Sequence, residues 1–150
     1  MCVHFFIGEN MEDIVNILIK EAKKSLKTND VPVSAVIVDN GKIIAKAHNS
    51  REKYHDVTSH AEILALQKAC KKNKTWHLDE CEIYVTMEPC LMCMNAISQS
   101  RIKKIYYVLD NDKFKEIQNT MNDKIIKTKI LDPNNELNNL IKNFFIEKRK

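Results

Sequence analysis

At 150 residues, 44% hydrophobic and 29% charged, the chain has the size and composition of one soluble globular domain with a continuous core. No run approaches the ~18 apolar residues of a membrane-spanning helix. Residues 1–10 carry neither the basic nor the long apolar region of a signal peptide, so the expected compartment is the cytoplasm. A net charge of +4 permits a nucleic-acid partner without demanding one, and five cysteines, an odd number, argue against a disulfide framework there.

Taken in chain order, residues 11–28 read as an amphipathic helix. Met11, Ile14, Val15, Leu18, Ile19, Ala22 and Leu26 keep a 3.6-residue period, with Asn10 as N-cap. The apolar run Val33 to Asp39 predicts a strand, and Asp39-Asn40-Gly41 turns it into a second strand, Lys42 to Ala47. Polar residues from Asn49 to Thr58 predict a loop. A helix follows from near Ser59 to about Lys72, then a strand over Cys81 to Met87. Pro89 suits the first turn of a third helix that reaches about Ser100. Ile102 to Leu109 and Lys124 to Ile130 predict the fourth and fifth strands. A last helix from about Pro133 is expected to bury Leu137, Leu140, Ile141, Phe144 and Phe145. Cys70 and Cys81 fall in apolar patterns, as small hydrophobes. No repeat, low-complexity stretch or linker interrupts this order, which predicts a single α/β domain over residues 1–150, a mixed sheet covered by helices.

The chemistry concentrates in His60-Ala61-Glu62 and Pro89-Cys90-Leu91-Met92-Cys93, each at an expected helix start. Two thiols three apart on a first turn can face one metal, and His60 would add a nitrogen from the neighbouring helix. One nitrogen and two sulfurs leave a tetrahedral position open, the catalytic arrangement of zinc. Water held there is acidified from a pKa of 15.7 to about 7. Glu62, two residues beyond His60, is placed to move protons without being a ligand. Simpler readings exist for each part: Ser59 and Glu62 also satisfy a capping box, and C-x-x-C also marks redox pairs. Together, H-x-E followed by P-C-x-x-C is the signature of zinc-dependent nucleobase deaminases.

Longer segments carry a closer likeness. Val31-Pro32-Val33-Ser34-Ala35-Val36, His55-Asp56-Val57-Thr58-Ser59-His60-Ala61-Glu62 and Tyr84-Val85-Thr86-Met87-Glu88-Pro89-Cys90-Leu91-Met92-Cys93 are similar to motifs of the bacterial-type tRNA adenosine deaminases, within the cytidine deaminase-like superfamily. Ser100-Arg101-Ile102 and the Phe144-Phe145 pair with its basic tail follow at the expected places. The resemblance implies a three-layer α/β/α fold with a five-stranded mixed sheet, one Zn2+ per chain, and conversion of adenosine to inosine at the wobble position of a tRNA anticodon. It implies a homodimer that binds the tRNA anticodon arm. It places Asn49, Ala61, Glu88, Pro89, Asn111 and Lys113 at the substrate, with Phe144, Phe145, Lys148, Arg149 and Lys150 toward RNA. The chain departs from the family in Ser34, where glycine is usual. It departs again in Asp110-Asn111-Asp112-Lys113-Phe114-Lys115-Glu116, a glycine-free version of the family's loop, with Asn111 where aspartate is common. Both bear on substrate choice rather than metal chemistry. Two other readings of the motifs stay open: a deaminase of free guanine or cytosine, and a non-enzymatic zinc or redox binding module.

Overall fold

The structure, a computed structural model, describes residues 11–114 and 124–149. Asn10, Lys115, Glu116 and Lys150, and the reading of residues 1–10, lie outside the described residues. Five strands form one sheet: β1 (Ser34–Asp39), β2 (Lys42–His48), β3 (Cys81–Met87), β4 (Lys104–Leu109) and β5 (Ile126–Lys129), in the order β2-β1-β3-β4-β5. β1 is antiparallel to β2 and β3, while β3, β4 and β5 run parallel. The sheet is therefore mixed, as expected.

Alternation along β1 explains the layers. Ala35 and Ile37 point to one core, with Ile83, Val85 and Ile105 of the neighbouring strands and Ala61, Ala65 and Ala69 of helix α3 (Ala61–Asn73). Val36 and Val38 point to the other, with Tyr84, Val108 and Ile14, Val15, Leu18 and Ala22 of helix α1 (Met11–Lys23). Met94 and Ile97 of helix α4 (Leu91–Gln99) join α3's core, and Leu137 of helix α5 (Glu136–Lys148) joins α1's. Both faces of the sheet are thus covered, each fully buried large side chain contributing about 1.5–3 kcal/mol. Among the described residues no helix is long and apolar enough to cross a membrane.

Several expected boundaries move, each for a local reason. The α-helix predicted through Thr28 tightens at Lys24–Thr28 into a 3-10 turn, ended by Asn29 in the left-handed conformation, and Leu26 is left 40% exposed. The loop after β2 contains a one-turn helix, α2 (Arg51–Tyr54). Pro89 does not sit in the first turn of α4: Cys90 is its N-cap, so the proline precedes the helix. β4 begins at Lys104 rather than Ile102, after Arg101 adopts a positive φ. The last helix begins at Glu136, not Pro133, because Asn135 takes a left-handed φ of 55° and Leu137 donates its N–H to Asp132 Oδ2 at 2.8 Å. That helix buries Leu137, Ile141 and Phe144 and half-buries Leu140, whereas Phe145, expected inside, is 44% exposed. Asn40 and Gly41, both at positive φ, close the β1–β2 hairpin between paired Asp39 and Lys42, as the sequence predicts.

Candidate active site

The site lies where β3 delivers the chain to α4, at the carboxyl ends of parallel strands β3 and β4. α3 and α4 both begin there. His60 is the N-cap of α3 and Cys90 the N-cap of α4, each in extended backbone conformation, and neither uses its side chain as a cap. The imidazole is turned instead to the thiols: Nδ1 stands 3.6 Å from Cys90 Sγ and 3.5 Å from Cys93 Sγ. The three donor atoms all lie within 4.8 Å of one another. Two helix N-termini, with their free N–H groups and positive dipole ends, meet at this point and favour anionic sulfur there.

Protonation follows from that crowding. Cys93 donates to Cys90, and with the His60 hydrogen bond this outweighs burial and holds the Cys90 thiol down to about 4. The shared proton belongs to Cys93, whose thiol is pushed up by the same bond and by burial. His60 is raised, chiefly by its bond to Cys90, against the effect of burial. The Cys90 sulfur is therefore favoured as an anion, with Cys93 and His60 as its neighbours. A cation with tetrahedral nitrogen and sulfur preferences fits this set and would leave one position open.

Glu62 sits at the second position of α3 and is 4% exposed. The capping box does not form: Ser59 donates its hydroxyl to Asp56 Oδ2 at 3.1 Å, and Glu62 is buried beside the thiols. Burial pushes its carboxyl up, opposed by its own helix N–H and by His60. A cavity of about 190 Å³ opens over these groups, lined by Val31, Val33, Asn49, Arg51, His60, Ala61, Glu62, Met87, Glu88, Cys90 and Asn111. Cys93 is fully buried beneath it.

Asn49 is the most informative of the wall residues. Its Nδ2 donates to the Val31 carbonyl at 3.3 Å, which fixes the amide orientation, while its buried Oδ1 has no hydrogen-bond partner. A buried acceptor left unmatched is costly, and Asn49 is among the residues that line the cavity. Glu88, 2% exposed, has both carboxylate oxygens engaged: Oε1 accepts the Asn111 N–H at 3.2 Å and Oε2 pairs with Lys127 at 2.7 Å. Asn111 returns a bond from Nδ2 to the Glu88 carbonyl at 3.3 Å.

His60, Glu62, Cys90, Asn49, Ala61, Glu88 and Asn111 thus share one cavity. Pro89 precedes Cys90 without lining it, and Lys113 is exposed outside it. Phe144 is buried, Phe145 half exposed, and Arg149 exposed. Lys148 stacks 5.1 Å from the Phe144 ring centroid and reaches a small adjoining recess that shares Val31, Asn49 and Arg51 with the cavity. Arg51 and Lys127 escaped the sequence reading. Arg51 stands two residues after Asn49, a clue available locally. Lys127 meets Glu88 across 39 positions, and nothing in the pattern of β5 announces it. A larger hollow of about 610 Å³ at the opposite ends of the strands has no histidine, and its one thiol, Cys81, is pushed up to about 12 by burial.

Comparison with known proteins agrees with this geometry. Residues 9–149 match the MafB19-like deaminase family. An Aquifex aeolicus (strain VF5) protein named tRNA-specific adenosine deaminase is 47% identical over 96 residues, 64% of each chain. The match therefore spans less than two thirds of that relative. A solved structure from work on A-to-I editing by tRNA:A34 deaminases at the wobble position aligns with a TM-score of 0.75 and 29% identity, over 85% of this chain and 98% of that one. A guanine deaminase from Bacillus subtilis aligns with a TM-score of 0.66 and 28% identity, over 93% and 94%.

Proposed function

The chain belongs to the MafB19-like deaminase family, and on that premise we propose that it is a zinc-dependent enzyme converting adenosine to inosine at the wobble position of a tRNA anticodon. The observation that carries this reading is the convergence of His60, Cys90 and Cys93 with buried Glu62 under a cavity that Asn49, with its unmatched buried Oδ1, helps to line. The relative at 47% identity supports adenosine in tRNA as the substrate.

In this reading His60 Nδ1 and the Cys90 and Cys93 sulfurs hold Zn2+, one per chain. The bound ion supplies a Lewis acid that makes water nucleophilic at neutral pH. Glu62 takes a proton from the attacking water and delivers it to N1 of the adenine as C6 becomes tetrahedral. A second transfer by Glu62 carries the proton of the new C6 hydroxyl to the amine, and ammonia departs as the C6 carbonyl forms. Burial, which raises the Glu62 carboxyl, suits a group that must hold a proton between these transfers. Asn49 Oδ1 takes a donor from the nucleoside, and Ala61, Glu88 and Asn111 shape its seat, while Pro89 and Lys113 lie outside the cavity lining.

At about 190 Å³ the cavity is smaller than the ~300–1,000 Å³ of sites that enclose drug-sized ligands. It suits a base presented alone, splayed from a single-stranded loop, as zinc deaminases require. Arg51 and Lys148 border the adjoining recess and are positioned for the flanking backbone, with Phe145 and Arg149 on the same helix. The protein acts in this reading as a cytoplasmic homodimer on the anticodon arm. The test incubates pure protein with an anticodon stem-loop and, separately, with free guanine and cytosine. Inosine at the wobble position, with activity that falls steeply as salt rises, is the expected result. Turnover of a free base with the RNA untouched would replace the substrate with the one suggested by the guanine deaminase likeness.

A further inference from the structure

We propose that Lys127, on the edge strand β5 and outside the cavity, is a positioning residue that sets the shape of the substrate wall through Glu88. The inference rests on the cavity being the deaminase site.

Glu88 lies in the short link between β3 and α4, two residues before Cys90, and its carboxylate is all but inaccessible to water. A buried carboxylate must have its oxygens matched. One is matched by the Asn111 N–H at 3.2 Å, and the other by the Lys127 ammonium at 2.7 Å, whose side chain is only 19% exposed. The Glu88 N–H is in turn held by the Leu109 carbonyl at 2.8 Å, and its own carbonyl by the Asn111 amide. Three of these four bonds clamp the β3–α4 link to the end of β4 and the turn after it, and the fourth, from Lys127, ties it to β5. Glu62 and Glu88 both line the cavity. Lys127 fixes the carboxylate of the second on the β5 side, with its charge balanced.

Removing the ammonium leaves Glu88 Oε2 buried and unmatched. The carboxylate then relaxes toward water or the cavity, and Asn111 loses its fixed acceptor. A wall displaced by about 1 Å far from the chemistry can cost up to about 100-fold in rate.

The experiment compares wild type, Lys127→Met and Lys127→Arg as zinc-loaded full chains, at a temperature where thermal melts show all three folded. Hydrogen exchange of the segment spanning Leu109 to Asp112 reads positioning without any substrate. It should speed up about tenfold in Lys127→Met and return to within about threefold in Lys127→Arg, which restores a cation at the same place. With the substrate that wild type turns over, kcat/KM should fall about 10–100-fold in Lys127→Met, mainly through KM, with zinc content unchanged. Unchanged exchange around Asn111, or kcat/KM within twofold of wild type, overturns the proposal. Wild type acting on a free base instead of RNA would sink the tRNA reading alone, because the same comparison on that base still judges Lys127.

Discussion

Asn49 offers the sharpest test, because its loss should lower activity without a matching loss of stability. Ordinarily a buried asparagine replaced by alanine costs stability, since its hydrogen bonds are lost. Here the amide makes one side-chain bond, 3.3 Å to the Val31 carbonyl, and leaves Oδ1 buried with no partner. An unmatched buried acceptor costs about 1–3 kcal/mol, and a neutral hydrogen bond contributes about 0.5–1.5 kcal/mol. Losing both together in Asn49→Ala should shift folding stability by between a loss of about 0.5 and a gain of about 2.5 kcal/mol. Binding is where the loss appears. A substrate N–H or O–H that satisfies Oδ1 recovers the desolvation cost already incurred, so its removal should cost about 1–3 kcal/mol, or roughly 5- to 150-fold in kcat/KM. The backbone is undisturbed, because the Asn49 N–H to Val33 and the Ser25 hydroxyl to the Asn49 carbonyl do not involve the side chain. The assay pairs urea unfolding with steady-state kinetics on the anticodon stem-loop at matched zinc content. A variant that loses more than about 1.5 kcal/mol of stability while keeping wild-type kcat/KM would refute the reasoning, since the amide would then be structural.

Three further outcomes follow from the same geometry. If the carboxyl moves protons without being a ligand, as proposed, Glu62→Gln should lower kcat by about 10²–10⁴-fold while metal analysis still finds one zinc per chain; wild-type turnover in that variant would remove it from the chemistry. In chelator-treated protein at pH 7, site-resolved iodoacetamide labelling should modify Cys90, held at about 4, well before Cys81, raised to about 12, and added zinc should suppress the Cys90 reaction. Glu21 on α1 is buried, which raises its carboxyl, but bonds from His48 at 2.7 Å and Lys24 at 3.1 Å win and hold it below its ordinary 4.5. Its contribution is therefore present above pH 4.5 and lost as pH falls through the lowered folded value. Glu21→Gln should cost about 1.5–3 kcal/mol at pH 7, a gap that urea melts should see narrow as pH falls through the lowered folded value.

Much of the fold could be read from the chain because its determinants are local. Alternation in Ala35-Val36-Ile37-Val38 specifies a strand buried on both faces, and the period of Ile14, Val15, Leu18 and Ala22 specifies α1's apolar stripe. Asn40-Gly41 dictates the hairpin because both must take positive φ. The three donors that converge, His60, Cys90 and Cys93, were equally legible. Two helix starts supply them at short spacings, and the chemistry admits few residue types.

What the sequence could not decide are matters of which distant group occupies a given volume. Phe144 and Phe145 are indistinguishable as residues, yet the first is buried and the second is half in water, because the face of α5 that meets the sheet is set by packing. Whether Ser59 and Glu62 form a cap or Glu62 serves the cavity was settled by Asp56 taking the Ser59 hydroxyl and by the thiols of α4 standing beside Glu62. Likewise the Glu88–Lys127 pair and the unmatched Asn49 oxygen exist only once β5 lies beside β4 and Val31 closes over Asn49. Backbone periodicity is written in neighbours a few residues apart. The partners of a buried polar group are chosen by the packed layers, and only the tertiary structure names them.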